Sequence, residues 1–210
     1  MKNTFFKKFK FQNLILLHIL IGVLAISKPF ILVFSSLLLY GVFQIISSKN
    51  SRNQALYWCI YAVGSEVLFR MAGGAFFHEY IKYLCMFYLI FGIAIERTNR
   101  KIPRNYFIYI ILLLVSILSA QQETFKSFIQ EISFNLSGPI LLGLVAMYSY
   151  KRILSVNQIL DLLKVSLLPI ISILVYLLLN TTSISQISFA SAANFETTGG
   201  FGPNQVSTIL

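Results

Sequence analysis

The sequence predicts an all-α fold: a polytopic integral membrane protein with about seven transmembrane helices, the start of an eighth, and a cytoplasmic N-terminus. Three observations predict it. Of the 210 residues, 57% are hydrophobic and 11% charged, where a soluble domain carries about 25% charge; the mean hydropathy is +0.76. Apolar runs approaching the roughly twenty residues that cross a bilayer recur along the chain. The basic residues sit in short clusters between those runs, mostly at alternate ones. A soluble enzyme of this length would need far more polar surface to cover its core. The net charge of +10 does not indicate nucleic acid, because the cations are not interleaved along one polar face.

The elements follow in order. The first span, near 12–27, comes after "MKNTFFKKFK", which resembles the basic start of a signal peptide. No small-residue cleavage site follows, so the helix is read as uncleaved. Lys28-Pro29 makes a tight turn into a second span near 30–47. The third and fourth spans lie near 55–71 and 80–95, the fifth near 106–120 and the sixth near 136–150. Pro103 and Pro139 are placed near span starts, where a missing N–H costs nothing. The seventh span, near 165–180, has Pro169 in its first turns, a position that can kink a helix.

Two amphipathic stretches flank these runs. In "QQETFKSFIQEISFN", Phe125, Phe128, Ile129 and Ile132 recur at three- and four-residue spacing, which suits a short helix in the outer interface. "KRILSVNQILDLLKVSLL" suits a cytoplasmic interfacial helix leading into the seventh span. An eighth run starts near 204 and stops at Leu210, too short to cross a hydrocarbon layer of about 30 Å. The expectation is the N-terminal transmembrane region of a longer protein, or a shortened gene product.

Charge sets the orientation. With the N-terminus inside, the inner segments hold Lys2, Lys7, Lys8, Lys10, Lys49, Arg52, Arg97, Arg100, Lys101, Arg104, Lys151, Arg152 and Lys164, thirteen of the 17 basic residues. Outside or within spans remain Lys28, Arg70, Lys82 and Lys126. The 121–135 and 181–203 loops are therefore read as outer.

Candidate functional residues gather toward that outer side. In "YAVGSEVLFRMAGG", Glu66 and Arg70 are four apart and share a helix face. Ionisable groups at that depth must pair or meet water. They are read either as an ion pair that orients helices or as an anion-binding arginine held by its glutamate, since a guanidinium fork suits phosphate or carboxylate. The glycines that follow would permit close backbone approach. In "FFHEYIKY", His78 and Lys82 are read as interface anchors or as contacts to an anionic substrate. No third ligand accompanies His78 and Glu79 at useful spacing, so no metal is expected, and no cofactor either. His18 is read as a hydrogen-bonded packing residue, and Cys59 and Cys85 as small buried hydrophobes.

Asn135 and Ser137, immediately before Gly138-Pro139, are read either as a helix cap alone or as marking an uncapped helix N-terminus that faces the outer medium and attracts phosphate. "GGFGPNQVSTIL" has the same construction: Gly199, Gly200 and Gly202 free the backbone around Asn204, either to converge N–H groups on an anion or to turn tightly back into the membrane. It lacks the lysine of a phosphate-binding P-loop.

"EVLFRM" at 66–71, "FNLSGPI" at 134–140 and above all "NFETTGGFGPNQVSTIL" at 194–210 resemble the O-antigen ligase and polysaccharide polymerase family of bacterial membrane proteins, in its exopolysaccharide branch. The resemblance runs over the whole chain and is most specific in the closing stretch. It implies a helical protein of the bacterial cytoplasmic membrane that transfers or joins saccharides carried on polyprenyl diphosphate at the outer face, without nucleotide sugars or metal. It also implies a long extracytoplasmic loop bearing catalytic arginine and histidine; no such loop occurs before Leu210, so the catalytic residues stay unassigned. Two other readings remain open: a transporter or flippase of lipid-linked saccharide, and a structural membrane protein. Charges near both faces would favour transport, and charges gathered at the outer face would favour chemistry there.

Overall fold

The computed structural model describes residues 10–27, 29–73, 79–96, 103–119 and 125–180. The described residues form seven α-helices and one 3-10 turn, with no strand: α1 (Phe11–Leu24), α2 (Phe30–Ser47), α3 (Gln54–Met71), α4 (Tyr80–Ile95), α5 (Arg104–Val115) with the turn Ser116–Ser119, α6 (Phe125–Ser149) and α7 (Val156–Asn180). Among the described residues three stretches are long and apolar enough to cross a membrane: Phe30–Ser47, Ser127–Ser149 and Val156–Asn180. Large apolar side chains such as Leu32, Val33, Phe43, Leu112, Leu142 and Leu178 face outward, far more than a water-soluble surface carries. The apolar helices fit a membrane-associated protein.

Two expectations need correction. Residues 125–135 do not form a separate interfacial helix; they continue into α6, which runs through Pro139 without ending. Asn135 and Ser137 therefore cap nothing. The apolar spacing of Phe128, Ile129 and Ile132 belongs to the first turns of the same long helix. A proline inside a helix leaves one carbonyl without its partner, a loss that membrane helices tolerate when neighbours compensate. Likewise the 156–164 stretch is the first part of α7, continuous through Pro169.

The chain packs as two compact units. One comprises Met1–Leu38, Ile60–Ala75 and Ser155–Leu210; the other comprises Leu39–Cys59 and Phe76–Leu154. In the first unit α1 and α7 lie side by side. A Cβ at Gly22 would stand 2.6 Å from the Ser172 carbonyl oxygen, so that glycine permits the close approach. Ser172 Oγ donates to the His18 carbonyl at 2.7 Å. Along α3, Gly64 faces Pro169 and, further on, Met71 O accepts from Tyr176 Oη at 3.1 Å. Both sequence numbers rise together, so this part of α3 runs parallel to α7. Phe34 of α2 packs its ring against Tyr61 and Phe69.

In the second unit Glu79 meets Ser137 near the start of α4, and Glu96 meets Arg152 beyond its end. Hence α4 and α6 run parallel. Tyr106 against Tyr150 and Tyr109 against Pro139 make α5 antiparallel to α6. Trp58 donates to Gln44 Oε1 at 2.6 Å, meets Tyr40 edge-on and lies tilted against Tyr88. Cys59 and Cys85 are both buried and free, as expected of small core residues.

Candidate functional site

In the first unit, Glu66 and Arg70 occupy the last turns of α3. Their ion pair is 2.5 Å long, from Nη2 to Oε1, with side chains 13% exposed for Arg70 and 23% for Glu66. Two local causes place the arginine there. It lies in the last helical turn, where a cation meets the negative end of the helix dipole, and its glutamate sits one turn earlier. The helix ends immediately afterwards: Gly73 takes φ of +76° and its N–H closes onto the Arg70 carbonyl at 3.0 Å, a glycine stop. Gly73 therefore serves the helix end. Tyr176 covers the Met71 carbonyl beside it. The result is a half-buried guanidinium at the end of an apolar helix, oriented by a carboxylate.

In the second unit, Glu79 precedes the first turn of α4 and is almost fully buried. Its Oε2 receives Lys82 Nζ at 2.5 Å and Ser137 Oγ at 3.2 Å. One turn along, Tyr83 Oη and Ser133 Oγ share a hydrogen bond of 2.9 Å. Ser133 and Ser137 lie one turn apart on the face of α6 that meets α4. Asn135 points elsewhere and is exposed. The structure thus brings Lys82 and Ser137 together around Glu79 and leaves Asn135 out. Lys82 is thus an ion-paired lysine, 32% exposed, and its partner Glu79 is one that sequence reasoning did not join to it. A buried carboxylate requires such partners, because desolvating it alone is costly. His78, Gly199, Gly200, Gly202 and Asn204 lie outside the described residues.

Two polar centres have partners that sequence reasoning did not name. The larger is in the second unit: Arg152 grips Glu96 through both guanidinium nitrogens, Nη2 to Oε2 at 2.5 Å and Nη1 to Oε1 at 3.2 Å. It also donates to Asn53 Oδ1 and to the Tyr148 carbonyl, and lies 3.8 Å from the Tyr148 ring centroid. Asn50, fully buried, donates to Tyr148 Oη at 3.0 Å and accepts from the Ala55 N–H. Sequence reasoning places Arg152 among the inner-segment cations and gives Glu96 no role. No local signal separates them from Arg97 or Lys151; the one hint is that Asn50 and Asn53 tolerate a left-handed backbone.

The smaller centre lies in the core of the first unit. His18 Nδ1 is 2.8 Å from the Leu14 carbonyl, which only accepts, so Nδ1 carries the proton. Nε2 then accepts from Tyr61 Oη at 3.1 Å. The imidazole is satisfied at both nitrogens, as expected of a packing histidine. Further along the same unit, Asp161 is buried with Lys164 Nζ at 3.5 Å.

Among the described residues no group of three or more histidine, cysteine or acidic side chains comes together to hold a metal. Comparison with known family models, with characterised proteins and with solved structures finds no match for this chain.

Proposed function

We propose that this chain forms the membrane-embedded N-terminal scaffold of a glycan polymerase or ligase that acts on polyprenyl-diphosphate-linked saccharides at the outer face of the bacterial cytoplasmic membrane. The observation that carries the reading is the half-buried Arg70 guanidinium, held by Glu66 at the end of an apolar helix. A diphosphate leaving group develops charge as the acceptor hydroxyl attacks the anomeric carbon, and a preoriented cation stabilises that charge best where water is scarce. Glu79 with Lys82 and Ser137 supplies a second buried charged cluster, at the start of α4. The resemblance of 66–71, 134–140 and 194–210 to the O-antigen ligase and polysaccharide polymerase family supports the same substrate class.

Alternating crossings with an inner N-terminus underlie the assignment of faces. The parallel pairs α3/α7 and α4/α6, and the antiparallel pair α5/α6, support that alternation.

A second reading, transport or flipping of lipid-linked saccharide, gains from the structure. Buried charges occur at both ends of each unit: Glu66–Arg70 and Asp161–Lys164 in the first, Glu79–Lys82 and Glu96–Arg152 in the second. The sequence reading, which placed the intramembrane charges toward the outer face, did not include the second pair of each unit.

Binding separates these readings from a structural role. The chain, reconstituted in lipid nanodiscs, is titrated with polyprenyl diphosphate, polyprenyl-diphosphate-linked saccharide and neutral polyprenol. Preference for the diphosphates by tenfold or more is expected. Equal binding of the neutral alcohol, with correct insertion verified, would leave only the structural role. Uptake of lipid-linked saccharide across sealed vesicles, without chain transfer, would select transport.

A further inference from the structure

The end of the second unit that carries the Arg152–Glu96 clasp also presents four exposed cations: Lys49, Arg52, Arg104 and Lys151. They are placed by connected contacts. Arg152 bonds Asn53, which ties the 48–53 turn to the 150–152 turn. Lys151 lies over the Tyr150 ring, 5.4 Å from its centroid. Tyr150 meets Tyr106 edge-on, with centroids 6.0 Å apart, two residues after Arg104.

Both turns hold unusual backbone. Lys49, Asn50, Asn53 and Lys151 have φ of 52°, 50°, 60° and 52°. Asparagine accepts that region readily, but a lysine does so at a cost, which persists only when surroundings impose it. The imposing surroundings are the buried bonds of Asn50 and Arg152. The acid at this end among the described residues is Glu96, whose side chain is 12% exposed and taken up by Arg152. None of the four exposed cations makes an ion pair among the described residues, so their charge is directed outward.

We infer that this surface is a binding site for the headgroup of an anionic phospholipid, in the leaflet that adjoins this end of the unit. Under the charge bias of the sequence that is the cytoplasmic leaflet. Three features select a lipid over a soluble anion. Tyr106 and Tyr150 lie beside the cations as residues do at headgroup depth. Immediately beyond them α5 and α6 turn exposed apolar side chains outward, including Phe107, Ile108, Ile111 and Val145, which suit acyl chains. The four cations are spread over three chain segments, as a headgroup layer with several phosphates requires and a single small anion does not.

The test is retention of lipid by the intact chain, measured by native mass spectrometry and by titration in nanodiscs with phosphatidylglycerol against phosphatidylcholine. Phosphatidylglycerol should be preferred by tenfold or more, and the preference should shrink as salt rises. Each neutralisation among Lys49→Gln, Arg52→Gln, Arg104→Gln and Lys151→Gln should weaken it about fivefold. Should the fourfold variant fail to insert, Arg52→Gln with Arg104→Gln carries the test, because neither residue has the unusual backbone. Equal affinity for the two lipids, or full preference in the neutralised variants, overturns the inference. So does complete displacement of phosphatidylglycerol by millimolar inorganic phosphate, which would make the surface a phosphate site.

Discussion

Glu96 and Arg152 lie 56 residues apart and meet through two parallel hydrogen bonds, with side chains only 12% and 5% exposed. A guanidinium fork matched to a carboxylate is the geometry that recovers most of the desolvation cost. Removing one partner strands the other as a buried charge. Glu96→Ala should therefore cost about 3–5 kcal/mol, and Arg152→Ala a similar amount, whereas Glu96→Leu with Arg152→Met should recover most of the loss. Unfolding of the detergent-solubilised protein measures this. Additive losses in the double variant would show that the two residues act separately.

How far the sequence led can be seen at particular residues. The apolar runs of α2, α3 and α4 end at polar or glycine-bearing turns, and their helices start and stop within a residue of the expected spans. Pro139 misled, because a proline after Asn-Leu-Ser-Gly reads as a helix start on local chemistry, and only packing along α6 carries the helix through it. The Glu66–Arg70 pair was legible because helical spacing alone brings those residues together. Glu79–Ser137, His18–Tyr61 and Glu96–Arg152 were not legible: each joins residues on different helices, and no local periodicity encodes which faces meet.

Glycine contacts give a paired prediction. A Cβ at Gly22 would meet the Ser172 carbonyl at 2.6 Å, whereas a Cβ at Gly138 would meet nothing within 4 Å. Gly22→Ala should destabilise by about 1–3 kcal/mol, since backbone cannot yield as a side chain can. Gly138→Ala should be neutral or stabilising by up to about 1 kcal/mol, from helix propensity. Thermal unfolding of the two variants side by side checks both; a loss at Gly138 equal to that at Gly22 would contradict the packing described for α1 and α7.

Around Glu79 the prediction turns on the lysine. Lys82→Met takes the lysine counter-ion from a buried carboxylate that Ser137 also contacts, and should lower abundance and thermal stability. Glu79→Gln with Lys82→Met should restore much of both, because the buried charge is gone. Ser137→Ala alone should cost about 1 kcal/mol, the value of one hydrogen bond. Quantifying inserted protein by blotting, alongside unfolding, distinguishes these; an undamaged Lys82→Met would show that Glu79 needs no counter-ion.

Orientation has its own test. Cysteine at Ser183 or Thr197 should react with an impermeant reagent from outside, and cysteine at Arg100 or Lys151 only after permeabilisation, on the thirteen-to-four division of the 17 basic residues. Residues 100, 183 and 197 lie outside the described residues, so these labels test the charge argument itself. The reverse pattern would move Arg70 and Lys82 to the cytoplasmic face.

Arg70 is where the proposed chemistry and plain architecture predict different outcomes. If the guanidinium contacts a diphosphate, Arg70→Lys should weaken binding of polyprenyl diphosphate tenfold or more while insertion and abundance stay near normal, because a point-charge ammonium loses the bidentate fork. Arg70→Ala should weaken it further. Glu66→Gln should be milder, since an amide still hydrogen-bonds the arginine and holds its direction. If the pair only closes the end of α3, the pattern changes: stability and binding should fall together across all three variants, as a half-buried charge loses its partner. Measuring binding per folded molecule, with abundance scored separately, tells the two apart. Unaltered diphosphate binding by Arg70→Ala would remove this residue from the site and leave the ion pair as a device for ending a helix at the membrane surface.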